Sequence, residues 1–339
     1  VKILLTSFLF SPSIGGIETV SMILAREFIA AGHEVRVATL TPGETVPDPG
    51  FEIMRRPSFS QLREAMRWCD VCFQSNISLQ LAQPLLVVRR PWIIVHHTWI
   101  PYGPFGRHRL VDDLKRLLLR AAHSISISTA VAESLPVPSR LIPNPYNSAT
   151  FYLRPEIART KPLVAYGRLV SDKGFDVLIQ ALARLGELGH RPPLTLIGSG
   201  PEREALVRQA ESLGVRGQID FVPALTGAPL AEQLNAHEIL IIPSRWKEPF
   251  GVVALEGIAC GCVVAGSQEG GLRDAIGACG LTYPNGDSEA LAQALARLLA
   301  EPELVAELRG AAEGHLEKHQ PQIVARNYLD FFESVRARK

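Results

Sequence analysis

The order strand, glycine-containing loop, helix, strand is written twice along this chain of 339 residues, and it restricts the fold more than any other feature. Near the N-terminus, residues 2–8 form a continuous apolar run, as a parallel strand covered on both faces requires. Residues 11–16 break that run, residues 18–31 repeat with helical spacing, and residues 35–39 predict the next strand. Short strands at 71–74, 92–96 and 124–128 continue the series, with a helix over 110–122. After a Pro- and Asn-rich stretch at 136–145 the same grammar restarts. A strand over 163–166, a polar loop over 167–174 and a helix over 175–188 lead to strands at 194–197, 219–222, 239–242, 263–265 and 281–283. This pattern predicts an α/β chain with two consecutive doubly wound domains, each around its own parallel sheet. We place the first domain at 1–155, the second at 156–320, and a terminal helical segment at 321–339. Open sheets of this kind take ligands beyond the C-terminal ends of their strands, so a cleft between the domains is the expected site.

Length and composition agree with that reading. A mass of 37.1 kDa accommodates two cores of ordinary size, and 47% apolar with 20% charged residues describes a globular chain. The net charge of +1 conceals an asymmetry: residues 1–155 hold 16 Lys and Arg against 11 Asp and Glu, while the remainder holds 19 against 23. Scattered basic charge in the first half suits an anionic acceptor or surface, or plain solvation. No blocks of basic residues call for nucleic acid. The apolar run at the N-terminus is too short to cross a bilayer, so the expected location is cytoplasmic, with at most peripheral contact at the inner face of a membrane. Cys69 and Cys72 have CxxC spacing, but no second pair completes a zinc site, and the expected state is buried thiols.

Four segments carry the chemistry. Pro12–Gly16 (PSIGG) follows the first strand and opens a helix. Its paired glycines permit close backbone approach and offer N–H groups to negative charge, although a tight turn explains them too. It lacks the GxGxxG spacing of a dinucleotide site. His96 and His97 end a strand in IIVHHTW, and since adjacent side chains on a strand point to opposite faces, one of them is expected to face a ligand. A satisfied local network is the alternative. In YGRLVSDKG, Arg168 and Lys173 share one loop at a strand end, where a rigid guanidinium fork and a compact ammonium suit phosphate oxygens. Finally, Pro243–Glu256 (PSRWKEPFGVVALE) sets Glu248 and Glu256 around a Pro-Phe-Gly turn at a helix start. That turn aims the N–H groups of Gly251, Val252 and Val253 at an anion or at sugar hydroxyls.

Together these segments, with Gly198–Glu202 (GSGPE), closely resemble the motifs of GT4-type retaining glycosyltransferases, which have the GT-B fold of two facing Rossmann-like domains. The resemblance runs over nearly the whole chain and is most specific at 166–174, 198–202 and 243–256. It implies an N-terminal acceptor domain, a C-terminal donor domain, and a last helix, here near 328–335, that crosses back to the first. It assigns Gly15 and Gly16 to the donor phosphates and the acceptor, His96 to the transferred sugar (with His97 as the fallback), and Arg168 and Lys173 to the diphosphate. Gly198 and Phe250–Val253 then frame the donor, Glu248 takes hydroxyls of the transferred sugar, and Glu256 takes the ribose hydroxyl pair. His96, Arg168, Lys173 and Glu248 would be the catalytic set. Gly16, His97, Asn144, Arg107 and Arg109 are the acceptor-side candidates. Two departures stand out: Pro145 replaces the glycine of the usual I-P-N-G, and Pro223 stands where a glycine borders the base pocket.

The resemblance implies transfer of a hexosyl-type unit from a nucleoside diphosphate sugar, UDP preferred and GDP the rival, to an acceptor hydroxyl with retention of configuration. It implies no metal and no cofactor beyond the sugar nucleotide. A glycan or lipid-linked acceptor in cell-envelope polysaccharide or glycolipid synthesis is the expected setting. A polymer synthase of the glycogen type, a nucleotide-sugar 2-epimerase of the same fold, and a non-catalytic nucleotide-sugar or glycan-binding subunit are the alternatives.

Overall fold

The computed structural model describes residues 1–13, 15–43, 50–100 and 110–337. The chain divides into two compact units, one made of Val1–Pro145 with His319–Lys339 and the other of Tyr146–Lys318.

In the first unit the strands are β1 (Lys2–Ser7), β2 (Glu34–Thr39), β3 (Glu52–Arg55), β4 (Val71–Ser75), β5 (Trp92–His96), β6 (His123–Ser126) and β7 (Ser139–Leu141). Among the described residues they form one sheet in the order β3-β2-β1-β4-β5-β6-β7, with every pairing parallel. The order reverses between β1 and β4, which is the topological switch point where such sheets bind ligands. One face is covered by a core that includes Leu4, Cys72, Ile94 and Met66. The other carries an aromatic cluster. Phe28 of helix Gly16–Ala30 and Phe73 of β4 meet Tyr328 and Phe332 of the last helix, Pro321–Arg336, with ring centroids 5.2 to 6.4 Å apart. That helix therefore packs within the first unit by burying two aromatic rings.

The second unit holds β8 (Lys161–Tyr166), β9 (Leu194–Ile197), β10 (Ile219–Val222), β11 (His237–Ile242), β12 (Val263–Ser267) and β13 (Gly280–Tyr283). Its sheet runs β10-β9-β8-β11-β12-β13, again all parallel, with the reversal between β8 and β11. Both units are Rossmann-like α/β domains.

The chain leaves the first unit at Pro145 rather than near 155. Residues 146–160 are held by the second unit: Asn235 Oδ1 accepts from Arg154 N at 2.7 Å, Asn235 Nδ2 donates to Tyr152 O at 3.0 Å, and Arg159 donates to Cys260 O at 2.7 Å. Several elements of the first unit lie outside the sequence reading, among them β3, β7, the helix Thr129–Ser134 and the helix Phe59–Trp68. The helix opens with a capping box in which Ser58 and Gln61 satisfy each other's backbone N–H groups. After β13 and the helix Ser288–Ala300 the second unit ends in two short helices, Pro302–Gly310 and Ala312–Glu317. All five cysteines are free and buried.

Candidate functional site

At the C-terminal end of β8 the backbone runs through Gly167 and Arg168 into a short 3-10 turn, Ser171–Lys173. Gly174 ends that turn and begins helix Phe175–Glu187 at φ 68°. A Cβ there would lie 2.0 Å from Pro243 O, so no other residue fits. This contact brings the 167–174 loop onto the 243–251 segment, and the N–H groups of Arg245 and Trp246 both donate to Asp172 O, at 3.0 and 3.1 Å.

The two segments meet through side chains as well. Lys173 Nζ lies 2.6 Å from Glu248 Oε1, and Ser244 Oγ donates to the same oxygen at 2.8 Å. The Glu248 backbone is fixed too, since its carbonyl accepts from Gly271 N at 2.7 Å. Arg168 is exposed and, among the described residues, forms no ion pair. Following Glu248, Gly251 adopts φ 110° and starts helix Val252–Ala259. The N–H groups of Gly251, Val252 and Val253 have no acceptor among the described residues, as the first turn of a helix dictates. An exposed guanidinium, an ammonium shared with a carboxylate and three free N–H groups thus converge on one strand-end surface. That surface suits a diphosphate bearing a hydroxylated group.

Glu256 sits one and a half turns along the same helix. The Tyr166 hydroxyl, from the end of β8, donates to Glu256 Oε2 and also approaches Val253 O at 3.3 Å. Burial pushes the Glu256 carboxyl up to about 7, and the Tyr166 hydrogen bond opposes part of that rise. Glu256 Oε1 has no partner among the described residues, which leaves one oxygen for a ligand hydroxyl. The GSGPE turn packs backbone to backbone on the phosphate-type loop: Leu169 N donates to Ser199 O at 3.0 Å, and a Cβ on Gly198 would lie 2.1 Å from Gly167 O. Phe250 is buried at 2% exposure, so its ring supports the turn from beneath.

The first unit gathers polar groups at the same kind of place, the C-terminal ends of β1, β4 and β5. Glu18, in the first turn of helix Gly16–Ala30, is buried and accepts from Ser13 Oγ at 3.1 Å. A Cβ on Gly15 would lie 2.5 Å from Glu18 Oε2, whereas a Cβ on Gly16 would meet open space. The two histidines part company. His96 Nε2 pairs with Ser124 Oγ at 3.1 Å, while His97 Nε2 lies 3.5 Å from Ser75 Oγ, which is itself 2.8 Å from Ser21 Oγ. Both rings are buried and neutral: burial, then the neighbouring His97, lowers the pKa of His96 to about 3, and burial lowers that of His97 to about 4 against a smaller opposing effect of Asn144. The Asn144 carbonyl accepts from His319 Nδ1 at 2.9 Å. Burying polar groups costs stability unless they are hydrogen-bonded, as His96, Ser75 and Ser21 are here.

Residues 155–315 match the family model of glycosyl transferases group 1. The 2-deoxystreptamine N-acetyl-D-glucosaminyltransferase of Streptomyces fradiae is 27% identical over 355 residues, taking in 86% of this chain and 84% of that protein. The GDP-mannose-dependent alpha-(1-6)-phosphatidylinositol monomannoside mannosyltransferase of Mycolicibacterium smegmatis is 33% identical over 192 residues, 53% of this chain and 48% of that one. Among solved structures, Anabaena Alr3699/HepE in complex with UDP superposes with a TM-score of 0.84 at 18% identity, covering 98% of this chain and 100% of that chain. The fold is the GT-B arrangement of two Rossmann-like domains, and residues 155–315, within the second unit, carry the match to glycosyl transferases group 1.

Arg168, Lys173, Glu248, Gly251–Val253 and Glu256 gather at strand and helix ends of the second unit, and Gly15, Gly16, His97 and Asn144 follow strand ends of the first. His96 turns to the Ser124 side of the sheet, away from Ser75 and Ser21. Arg107 and Arg109 lie outside the described residues. Four participants escaped the sequence reading: Tyr166, Ser244, Ser21 and Ser75. Ser244 precedes Glu248 by four residues and was recoverable from spacing. The other three act through contacts that only the fold creates. Among the described residues no group of three or more His, Cys, Asp or Glu side chains is arranged to hold a metal ion.

Proposed function

We propose that this chain is a GT4-type retaining glycosyltransferase that moves a sugar from a nucleoside diphosphate sugar to an acceptor hydroxyl. The observation that carries the reading is the meeting of Lys173, Glu248 and the free helix N-terminus at Gly251 beside the exposed Arg168. Arg168, Lys173 and the N–H groups at 251–253 neutralise the diphosphate as charge develops on it. Glu248 accepts hydroxyls of the transferred sugar, and Glu256 accepts from the ribose. Retention follows from attack on the face that the diphosphate leaves, with a phosphate oxygen taking the acceptor proton.

UDP is the preferred carrier and GDP the rival; the named relatives include one that uses GDP-mannose and one solved with UDP. The acceptor is a glycan or a lipid-linked sugar of cell-envelope synthesis, and the enzyme works in the cytoplasm with at most peripheral contact at the inner membrane face. Among the described residues no helix is long and apolar enough to cross a membrane.

The test is binding and slow hydrolysis of UDP-, GDP- and ADP-sugars with chelator present, alongside Glu256→Ala. One preferred donor, turned over without metal and bound at least tenfold more weakly by the variant, supports the reading. Absence of binding by the wild-type chain at millimolar concentration removes it. Inversion at the anomeric carbon of the product removes the retaining mechanism alone.

A further inference from the structure

The helix Gly16–Ala30 opens beyond the C-terminal end of β1 with no side-chain cap, and bare N–H groups in a first turn ordinarily invite a phosphate. Here the first turn brings its own anion. Glu18 is 7% exposed; its Oε1 accepts from Ser13 Oγ at 3.1 Å, while Oε2 accepts from no group among the described residues. A carboxylate offers about four lone-pair sites, so a buried one with a single hydrogen bond is short of donors. It lies against the backbone of Gly15, where a Cβ would stand 2.5 Å from Oε2 and 3.1 Å from Oε1. Gly16, the next residue, is exposed, and a Cβ there meets no atom within 4 Å. The loop has room for a ligand, and the group that its carboxylate lacks is a hydrogen-bond donor.

We infer that Glu18 is an acceptor-binding residue: its open oxygen takes a hydrogen bond from a hydroxyl or ammonium group of the acceptor, and its negative charge keeps phosphate off the Gly15–Gly16 loop. Two anions at one helix start repel each other, so this loop takes no part in holding the donor diphosphate. Ser21 lies three residues further along the same helix, hence on the same face as Glu18, and both are buried. The Ser21 hydroxyl pairs with Ser75 Oγ at 2.8 Å, and Ser75 Oγ stands 3.5 Å from His97 Nε2. Glu18 thus precedes a series of hydroxyl and imidazole groups that reaches the ends of β4 and β5, and such a series suits a hydroxylated or amino-substituted ring better than a phosphate. The inference rests on the proposed transferase reading for the ligand being the acceptor, but the exclusion of phosphate stands independently of it.

Two measurements test it. Nitrogen–proton NMR of the full chain, with the Gly15 and Gly16 amides followed through a titration with inorganic phosphate, reads the exclusion directly. The expected result is that these amides stay in place in the wild-type chain at millimolar phosphate and shift in Glu18→Gln, which keeps the shape and loses the charge. Phosphate binding at the wild-type loop, or amides that stay unmoved in the variant, overturns the exclusion without touching the transferase reading. In transfer assays Glu18→Ala raises the KM for a sugar acceptor about tenfold or more, the size of a lost hydrogen bond to a charged group, and leaves the donor KM within about twofold. Phosphate esters of that acceptor are the poorer substrates of the wild type, and Glu18→Gln narrows the gap. An equal rise in the donor KM assigns the carboxylate to the donor, and two unchanged KM values make it a structural group; either result overturns the inference.

Discussion

Lys173 Nζ lies 2.6 Å from Glu248 Oε1, so the cation read as a diphosphate group and the carboxylate read as a sugar group neutralise each other while no ligand is bound. Their side chains are 27% and 15% exposed, which places the pair between a weak surface ion pair and a costly buried one. The pairing also explains how two opposite charges are kept at correct spacing on separate loops before a substrate arrives.

A first prediction follows from that competition. Glu248→Gln keeps an amide oxygen for Ser244 but removes the charge that holds Lys173, so the free nucleoside diphosphate should bind at least as tightly as to the wild type. Transfer should fall, with kcat/KM lower by about 10- to 100-fold, the range for a lost hydrogen bond to a charged group. Lys173→Ala should weaken the diphosphate itself. Calorimetry with UDP and GDP separates the two variants, and equal losses of diphosphate binding in both would refute the division of roles.

Gly16 provides a test free of steric damage. A Cβ at this position meets open space, unlike one at Gly15, which would strike the Glu18 carboxylate. Gly16→Ala should therefore fold normally and gain up to about 1 kcal/mol, because alanine is the better helix former at the start of helix Gly16–Ala30. If the glycine is there for ligand approach, transfer activity should drop at least tenfold in the same variant. Full activity with raised stability would return the position to an ordinary turn.

The aromatic cluster of the first unit contains one flaw. Tyr328 is fully buried, and its hydroxyl has no hydrogen-bond partner among the described residues. Leaving such a group unsatisfied costs about 1–3 kcal/mol. Tyr328→Phe should raise the unfolding midpoint, whereas Tyr328→Ala should lower stability by about 3–5 kcal/mol through the cavity it opens between Phe28 and Phe73. Three of the four tryptophans (Trp68, Trp92 and Trp99) lie in the first unit, so their fluorescence follows the relevant transition.

Some of this was legible in the sequence and some was not, for physical reasons. Trp92–His96 and Leu194–Ile197 are strands at the bounds their apolar runs predict, because a parallel strand covered on both faces reads as a near-continuous apolar run. β3 is an edge strand of mixed character, EIMR, and lacks that signature. The 167–174 and 243–256 segments were readable because each is a local loop whose residue types state their chemistry. The Tyr166–Glu256 bond spans ninety positions and arises only when β8 and helix Val252–Ala259 are packed together. The choice between His96 and His97 was unreadable in principle, since alternation tells that they diverge but not which way the ligand lies.

Burial of Glu256 beside Tyr166 makes the proposed donor site sensitive to pH. Burial raises the folded-state pKa of Glu256 from 4.5 to about 7, so the native chain keeps a proton that the unfolded chain has released. The group's contribution to stability is therefore lost as pH rises from about 4.5 to about 7 and is level above, with a total of up to about 3 kcal/mol. A ribose hydroxyl donates best to the ionised carboxylate, so donor affinity should move the other way, tightening as pH rises through about 7 and then levelling. Tyr166→Phe removes the hydrogen bond that stabilises the ionised form, and should shift that inflection to higher pH. Glu256→Gln should flatten both profiles. Titration calorimetry of the preferred sugar nucleotide between pH 5.5 and 8.5 reads the effect, and wild-type affinity that stays constant across this range would show that Glu256 does not receive the ribose.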